Sequence, residues 1–189
     1  PANHYVHIYR ITEMQCVILR GGLSRLEDQT KRREENVQYM AEKLGKIGGP
    51  LRIARRDPRV DRQAYYSLTL CYDAAQAGQL PRAGYQSALM AEGVGLNTTY
   101  WPVYRAPLLN LYDSTSPVPF RDQATIQNYK NLRLPNVEKA VEETALVMMH
   151  HHLLGSREYI DQLINGIAKV NDNLAEAKEA HEKAQAGKK

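Results

Sequence analysis

Apolar residues recur at three- and four-residue spacing near both ends of the chain, and a shorter stretch between them alternates apolar and polar positions. Met14, Val17, Ile18 and Gly21 or Gly22 follow the period of one helix face. Ahead of them, Thr12 and Gln15 make a T-x-x-Q capping box. The threonine hydroxyl accepts the Gln15 backbone N–H while the Gln15 side chain returns to that of Thr12, so a helix is predicted to start at Thr12. A second box, Ser24 with Glu27, lies just after the glycine pair, and two helices or one helix broken near Gly21 fit the pattern equally well. Val37, Met40, Leu44 and Ile47 then form a narrow apolar stripe, which Gly48, Gly49 and Pro50 bring to a stop.

Leu51 to Arg55 reads as a short edge strand. From Ala64 to Asp73 the period changes to two: Tyr66, Leu68, Leu70 and Tyr72 alternate with Tyr65, Ser67, Thr69 and Cys71, which predicts a strand. Pro81 suits the first residue of a helix running through Tyr85 and Leu89 to Gly93. Leu96 to Trp101 reads as a further strand, giving a strand–helix–strand order of βαβ-like or split αβ type. Residues 102 to 119 are rich in prolines and turn formers, and a long irregular loop in a compact domain is usually functional or mobile. Asn136 is predicted to cap a short helix through Val137, Ala140, Val141 and Leu146. A final helix carries Ile160, Leu163, Ile164, Ile167, Val170 and Leu174 on one face. Beyond it only alanines interrupt the charges, so residues 175–189 are expected to be a solvated, frayed tail.

At 189 residues the chain suits one domain, and 43% apolar with 24% charged residues is ordinary for a globular fold. Its first residue is Pro1, so the sequence is expected to be trimmed, processed or excerpted. Neither a signal-peptide core nor an apolar run of membrane-spanning length is present, and the cytoplasm is the expected location. Cys16 and Cys71 stand outside any ligand-spaced cluster and read as two buried thiols. The net charge of +4 raises the question of an acidic partner. Arg52, Arg55, Arg56, Arg59 and Arg62 crowd together, yet Asp57 and Asp61 are interleaved with them and no stacking aromatics accompany them. A partly paired, solvated rim is favoured over a nucleic-acid site, and no nucleic-acid partner is expected. The three histidines from His150 to His152 do not suggest a metal, because adjacent side chains diverge in helix and strand alike. Gly-x-Ser-x-Gly and P-loop patterns are absent. Tyr100 and Tyr104 bracket Pro102, and by spacing alone they pack a strand end.

Several segments taken together change that reading. Arg10, Thr12, Glu13, Gln15, Leu23, Arg25, Leu26, Arg33 and Asn36 fall on the pattern G-x-N-x-R-[ML]-[TS]-[ED]-x-Q, QL-x-RL, R-x-x-N. "ALMAEGVGLNTTYWPVY" and "LRLPNVEKAVEETALVMMHHHLLGSREYIDQLINGIAKV" follow in order. In all three the chain resembles the DegT/StrS-type sugar and aminocyclitol aminotransferases, over about Tyr9 to Val170. The tyrosine at Tyr104, where many sugar aminotransferases have histidine, resembles the aminocyclitol branch.

The resemblance implies the C-terminal part of a type I pyridoxal phosphate (PLP) enzyme. The expected fold is α/β, of the α+β-like small-domain kind: a long N-terminal helix, a small sheet flanked by helices, and a C-terminal helix. Residues 1–47 would be the junction and long helical segment from the end of the large PLP domain, and 48–174 the small α/β domain. It further implies amino transfer from an amino acid to a nucleotide-linked keto-sugar or a keto-cyclitol, a homodimer, and Tyr100, Tyr104 and Arg10 as substrate-binding residues. Arg10 is placed near the active-site mouth by the resemblance and beside Glu13, as a pairing partner at the helix start, by sequence; the two weigh equally. The lysine that anchors PLP lies upstream in the family, no lysine here has a matching context, and the family asparagine that reaches a partner's PLP phosphate falls on Ile8. Without that lysine the cofactor has no covalent anchor. The chain alone is therefore expected to bind no PLP and to be inactive, and the competing expectation is a non-catalytic dimerisation or regulatory module derived from the family.

Overall fold

The computed structural model describes residues 9–105 and 131–187. Thr12 caps α1, Glu13–Ile47, with both hydrogen bonds of the predicted box in place: Thr12 N to Gln15 Oε1 at 2.9 Å and Gln15 N to Thr12 Oγ1 at 3.3 Å. Of the two arrangements the sequence allowed near Gly21, neither forms, because α1 is a single continuous helix. Ser24 does not start a second one; its hydroxyl donates back to the Gly21 carbonyl at 3.0 Å, inside the helix. The helix stops at Gly48, whose φ of 70° favours a glycine.

A four-stranded antiparallel sheet follows, in the order β1–β2–β4–β3, with β1 Leu51–Ile53, β2 Ser67–Tyr72, β3 Asn97–Thr98 and β4 Ala145–Met149. Because β2 and β3 both run antiparallel to β4, they are parallel to each other with β4 between them. Helix α2, Arg82–Ala91, connects them and makes this a split βαβ unit. Pro81 sits one residue outside α2, as its N-cap. Beyond residue 130, α3 covers Pro135–Lys139, a π-helical turn covers Ala140–Thr144, α4 covers Arg157–Asp172 and α5 covers Leu174–Ala186.

One face of the sheet carries the core. Leu68, Leu70 and Tyr72 of β2 and Leu146 and Met148 of β4 join Val37, Met40 and Leu44 of α1, Tyr85 and Leu89 of α2, and Ile160, Leu163, Ile164, Ile167 and Val170 of α4 in one cluster. Each such side chain contributes about 1.5–3 kcal/mol by leaving water. Asn171 ties three elements at the edge of this core, since its carbonyl accepts the Tyr85 hydroxyl at 2.7 Å and its amide donates to the Gly48 carbonyl at 3.2 Å. The opposite face of the sheet, with Ser67, Thr69, Cys71, Val147 and Met149, is exposed or half-exposed.

Four expectations are corrected. The helix predicted from Asn136 through Leu146 starts at Pro135, with Leu134 and not Asn136 at the N-cap, and gives way at Ala145 to β4, a central strand. Pairing with β2, from Ser67 opposite Met149 to Cys71 opposite Ala145, outweighs the helical periodicity there. Arg82 holds the handover, its Nη1 donating to the carbonyls of Val141 at 2.7 Å and Ala145 at 2.8 Å. The expected frayed tail is helix α5, which lies against α2 where Gly84 faces His181. The thiols are not buried: Cys16 is exposed on α1 and Cys71 half-exposed on β2. Finally, the strand predicted from Ala64 begins only at Ser67, because the extended backbone breaks at Tyr65, whose φ of 53° is left-handed. That costs a non-glycine residue roughly 1–2 kcal/mol. Tyr65 is buried, with its hydroxyl donating to Glu34 Oε2 at 2.8 Å, and Tyr66 is turned out.

Candidate functional site

The segment after β3 places the two tyrosines singled out by the sequence in opposite surroundings. Tyr100 is 77% exposed and its hydroxyl lies 2.8 Å from that of Tyr66. This hydrogen bond raises the Tyr100 phenol above its ordinary value. Tyr104, on a short 3₁₀ turn from Val103 to Arg105, is 7% exposed. Its hydroxyl donates to Glu138 Oε1 of α3 at 2.6 Å, and burial, followed by that bond, pushes its phenol up.

Glu138 is the anchor of this corner. The same Oε1 also accepts Arg105 Nη2 at 2.6 Å and the Leu134 backbone N–H at 3.3 Å. The Tyr104 hydrogen bond, with help from the Leu134 N–H and the Arg105 charge, holds the Glu138 carboxyl below the usual carboxylate range. Arg105 covers the Tyr104 ring at 5.4 Å and reaches Glu142 Oε1 at 3.3 Å. One acceptor oxygen with three donors, one of them charged, fixes the turn onto α3. Tyr100 therefore projects from a pinned loop, while Tyr104 belongs to the pin.

Arg10 is exposed just ahead of the Thr12 cap and forms no ion pair with Glu13 or any other described residue. The structure does not bring it to either tyrosine. Ile8 and most of the proline-rich loop lie outside the described residues. Sequence reasoning missed Tyr66, Arg105 and Glu138; "PNVEK" gives no local sign that its glutamate receives a tyrosine and an arginine from more than thirty residues upstream.

Three of the five clustered arginines are paired. Arg56 meets Glu34, Arg62 Nη2 meets Glu27 Oε2 at 2.7 Å, and Arg59 Nη2 meets Asp57 Oδ2 at 2.6 Å. Two of the three partners come from α1 and not from the interleaved aspartates. At the histidine run, His150 Nδ1 lies 3.2 Å from the Tyr66 carbonyl and His152 Nδ1 lies 2.6 Å from the Tyr159 hydroxyl. Among the described residues no three His, Cys, Asp or Glu side chains are grouped to hold a metal. No helix is long and apolar enough to cross a membrane, again among the described residues.

None of the described lysines is buried. Lys46 pairs with Glu42 at 2.5 Å, Lys169 with Glu92 at 2.8 Å and Lys183 with Glu179 at 2.6 Å, and Lys178 donates to the Gly78 carbonyl at 2.8 Å. These residues do not fit a covalently anchored PLP, which needs a lysine amine desolvated and aimed into a cavity.

The DegT/DnrJ/EryC1/StrS aminotransferase family matches residues 3–167. A protein of Streptoalloteichus tenebrarius provisionally named L-glutamine:3-amino-2,3-dideoxy-scyllo-inosose aminotransferase is 30% identical over 168 residues, which are 87% of this chain and 40% of that protein. Its namesake from Micromonospora echinospora is 31% identical over 183 residues, 95% of this chain and 43% of its own length. Among solved structures, 3-amino-5-hydroxybenzoic acid synthase superposes with a TM-score of 0.62 at 21% identity, covering 89% of this chain and 43% of the other. The aminotransferase from Psychrobacter cryohalolentis gives 0.65 at 22%, covering 92% and 42%. At these identities the structures show the fold alone. The chain spans about two fifths of the length of the curated relatives it matches. With most of its length inside the family match, the chain belongs to the DegT/DnrJ/EryC1/StrS aminotransferase family.

Proposed function

We propose that this chain supplies the C-terminal, substrate-facing part of a PLP-dependent aminotransferase that moves an amino group from an amino acid to a keto-cyclitol or a nucleotide-linked keto-sugar. The chain is catalytically silent without the lysine-bearing part. Aminotransferases of this family depend on PLP, and the curated relatives above are named for an aminocyclitol substrate with L-glutamine as donor. The observation that carries the reading is the exposed Tyr100 on a loop fixed by Glu138. A ring held out from a rigid corner loses little freedom when it meets a ligand, so it serves as a substrate wall. Tyr104 takes part by holding that corner, and the family resemblance puts Arg10, which has no ion pair among the described residues, at the site mouth.

Residues 1–47 then form the junction from the large domain and 48–174 the small domain, with α5 added to its outside. The half of α1 before Thr30 exposes Met14, Val17, Ile18, Leu19, Leu23 and Leu26, each between 48% and 78%. A helix apolar on most of its circumference is built to be covered. That exposure supports a homodimer contact through this segment.

The same apolar half-helix, with no buried lysine among the described residues, favours the second reading of a non-catalytic dimerising or regulatory module. The two separate by experiment. The reading frame upstream of the Pro1 codon is sequenced and, where it continues, the longer protein is assayed for amino transfer from L-glutamine to 3-amino-2,3-dideoxy-scyllo-inosose, the compound the relatives are named for, and to a keto-sugar nucleotide. Turnover by the longer protein but not by this chain supports the enzyme. A PLP-loaded longer protein inert toward every keto-cyclitol and keto-sugar nucleotide sinks it. Tyr100→Phe in the active protein is expected to reduce kcat/KM about two- to tenfold, the loss of one hydrogen bond; unchanged kinetics would remove Tyr100 from the wall.

A further inference from the structure

We propose that Tyr66 is a second substrate-contacting residue of the same wall, and that its hydroxyl-bonded pair with Tyr100 recognises the adjacent hydroxyls of a neutral ring polyol. The inference rests on the reading of Tyr100 as a substrate wall.

Both rings are open to solvent, Tyr66 at 66% and Tyr100 at 77%, and their hydroxyls are 2.8 Å apart although 34 residues separate them in sequence. Large aromatic rings gain by burial, so two left exposed and tied together invite a ligand. The backbone adds an independent reason. In unbroken alternation Tyr66 would share the buried face of Leu68, Leu70 and Tyr72. The left-handed turn at Tyr65 prevents this, and the Tyr65–Glu34 hydrogen bond keeps the turn in place while His150 Nδ1 meets the Tyr66 carbonyl. Strain that persists because its surroundings fix it is concentrated at binding sites.

The pair also specifies a chemistry. When one phenol donates to the other, one O–H remains as a donor, and acceptor lone pairs stay beside it. Two neighbouring hydroxyls on a saturated ring present the matching donor and acceptor at hydrogen-bond spacing, and the four groups polarise one another in a closed network. The aromatic faces accept the ring C–H edges. Among the described residues of the loop the cation is Arg105, which is committed to Glu138 and Glu142, so the pair itself offers no charge for a phosphate or carboxylate.

The test uses this chain labelled with ¹³C at tyrosine Cζ, assigned through Tyr66→Phe and Tyr100→Phe and titrated with myo-inositol or, as a control, cyclohexanol. The expected result is saturable movement of both resonances with inositol, weakened two- to tenfold at Tyr100 in Tyr66→Phe, and no saturable movement with cyclohexanol. Circular dichroism of each variant verifies the fold, which two exposed rings should not disturb. Movement of Tyr100 with Tyr66 still, or inositol affinity unchanged in Tyr66→Phe, overturns the role of Tyr66 and leaves the wall reading of Tyr100 standing. Equal movement with cyclohexanol overturns diol recognition. Silence at both resonances overturns the pair and the wall together.

Discussion

The Asn36 side-chain amide donates to the Leu153 carbonyl at 2.9 Å and to the Gly155 carbonyl at 3.1 Å, joining α1 to the turn ahead of α4 across more than a hundred residues. Asn36 is buried, so losing the amide leaves the buried Leu153 carbonyl and the part-buried Gly155 carbonyl short of a donor. Asn36→Leu is expected to cost about 2–4 kcal/mol, one to two unsatisfied polar groups. A fall in the urea midpoint at constant slope would register it, and a loss under 0.5 kcal/mol would show that water replaces the amide.

Docking of α5 can be tested at Gly84. A Cβ built there meets Leu80 Cδ1 at 2.6 Å and His181 Cγ at 2.8 Å, so Gly84→Ala forces these side chains aside and is expected to loosen α5 from α2. Because α5 buries none of its residues fully, the core should survive. Limited proteolysis of Gly84→Ala is expected to remove residues after Leu174 while leaving a stable remainder. Resistance equal to the parent chain would show that α5 shifts without leaving.

Alkaline stability follows from the buried phenols. Burial pushes Tyr65 and Tyr72 up to about 12, against about 10 for an unfolded tyrosine. The folded chain keeps both neutral after the unfolded one has begun to ionise, so their contribution is complete below pH 10 and is lost as the pH rises through 12. Circular dichroism should show unfolding in that interval. Tyr72→Phe, which gives up a 2.6 Å hydrogen bond to the Leu80 carbonyl, should make it shallower.

The Tyr66 hydroxyl holds up the Tyr100 phenol. In Tyr66→Phe the Tyr100 ionisation should fall back toward the ordinary tyrosine value, read from its ¹³Cζ shift against pH. An unmoved titration would mean that the two hydroxyls do not meet in solution.

What was legible in the sequence is what local chemistry decides. The Thr12 box and the Gly48 stop need only neighbours in the chain, and both ends of α1 fall where they were predicted. The apolar face of α4 is likewise a matter of period. "ALVMM" could not be read as a strand, because a five-residue apolar run after helix formers acquires its state from β2, more than seventy residues away. The apolar first half of α1 gave a helical period correctly but no information about burial, since the rest of the fold begins to cover the helix only at Thr30. Tyr100 was found through resemblance, whereas Tyr66 depends on one backbone angle at Tyr65 that no propensity foretells.

The continuity of α1 has a mechanical consequence. Thirty-five residues without a break make a rod roughly 50 Å long. Only its second half is bolted to the rest of the fold, by Val37, Met40 and Leu44 in the core and by the Asn36 bridge to the turn ahead of α4. Whatever grips the first half therefore acts on a lever, and a tilt imposed near Met14 reaches β1 and Tyr65 without passing through a hinge.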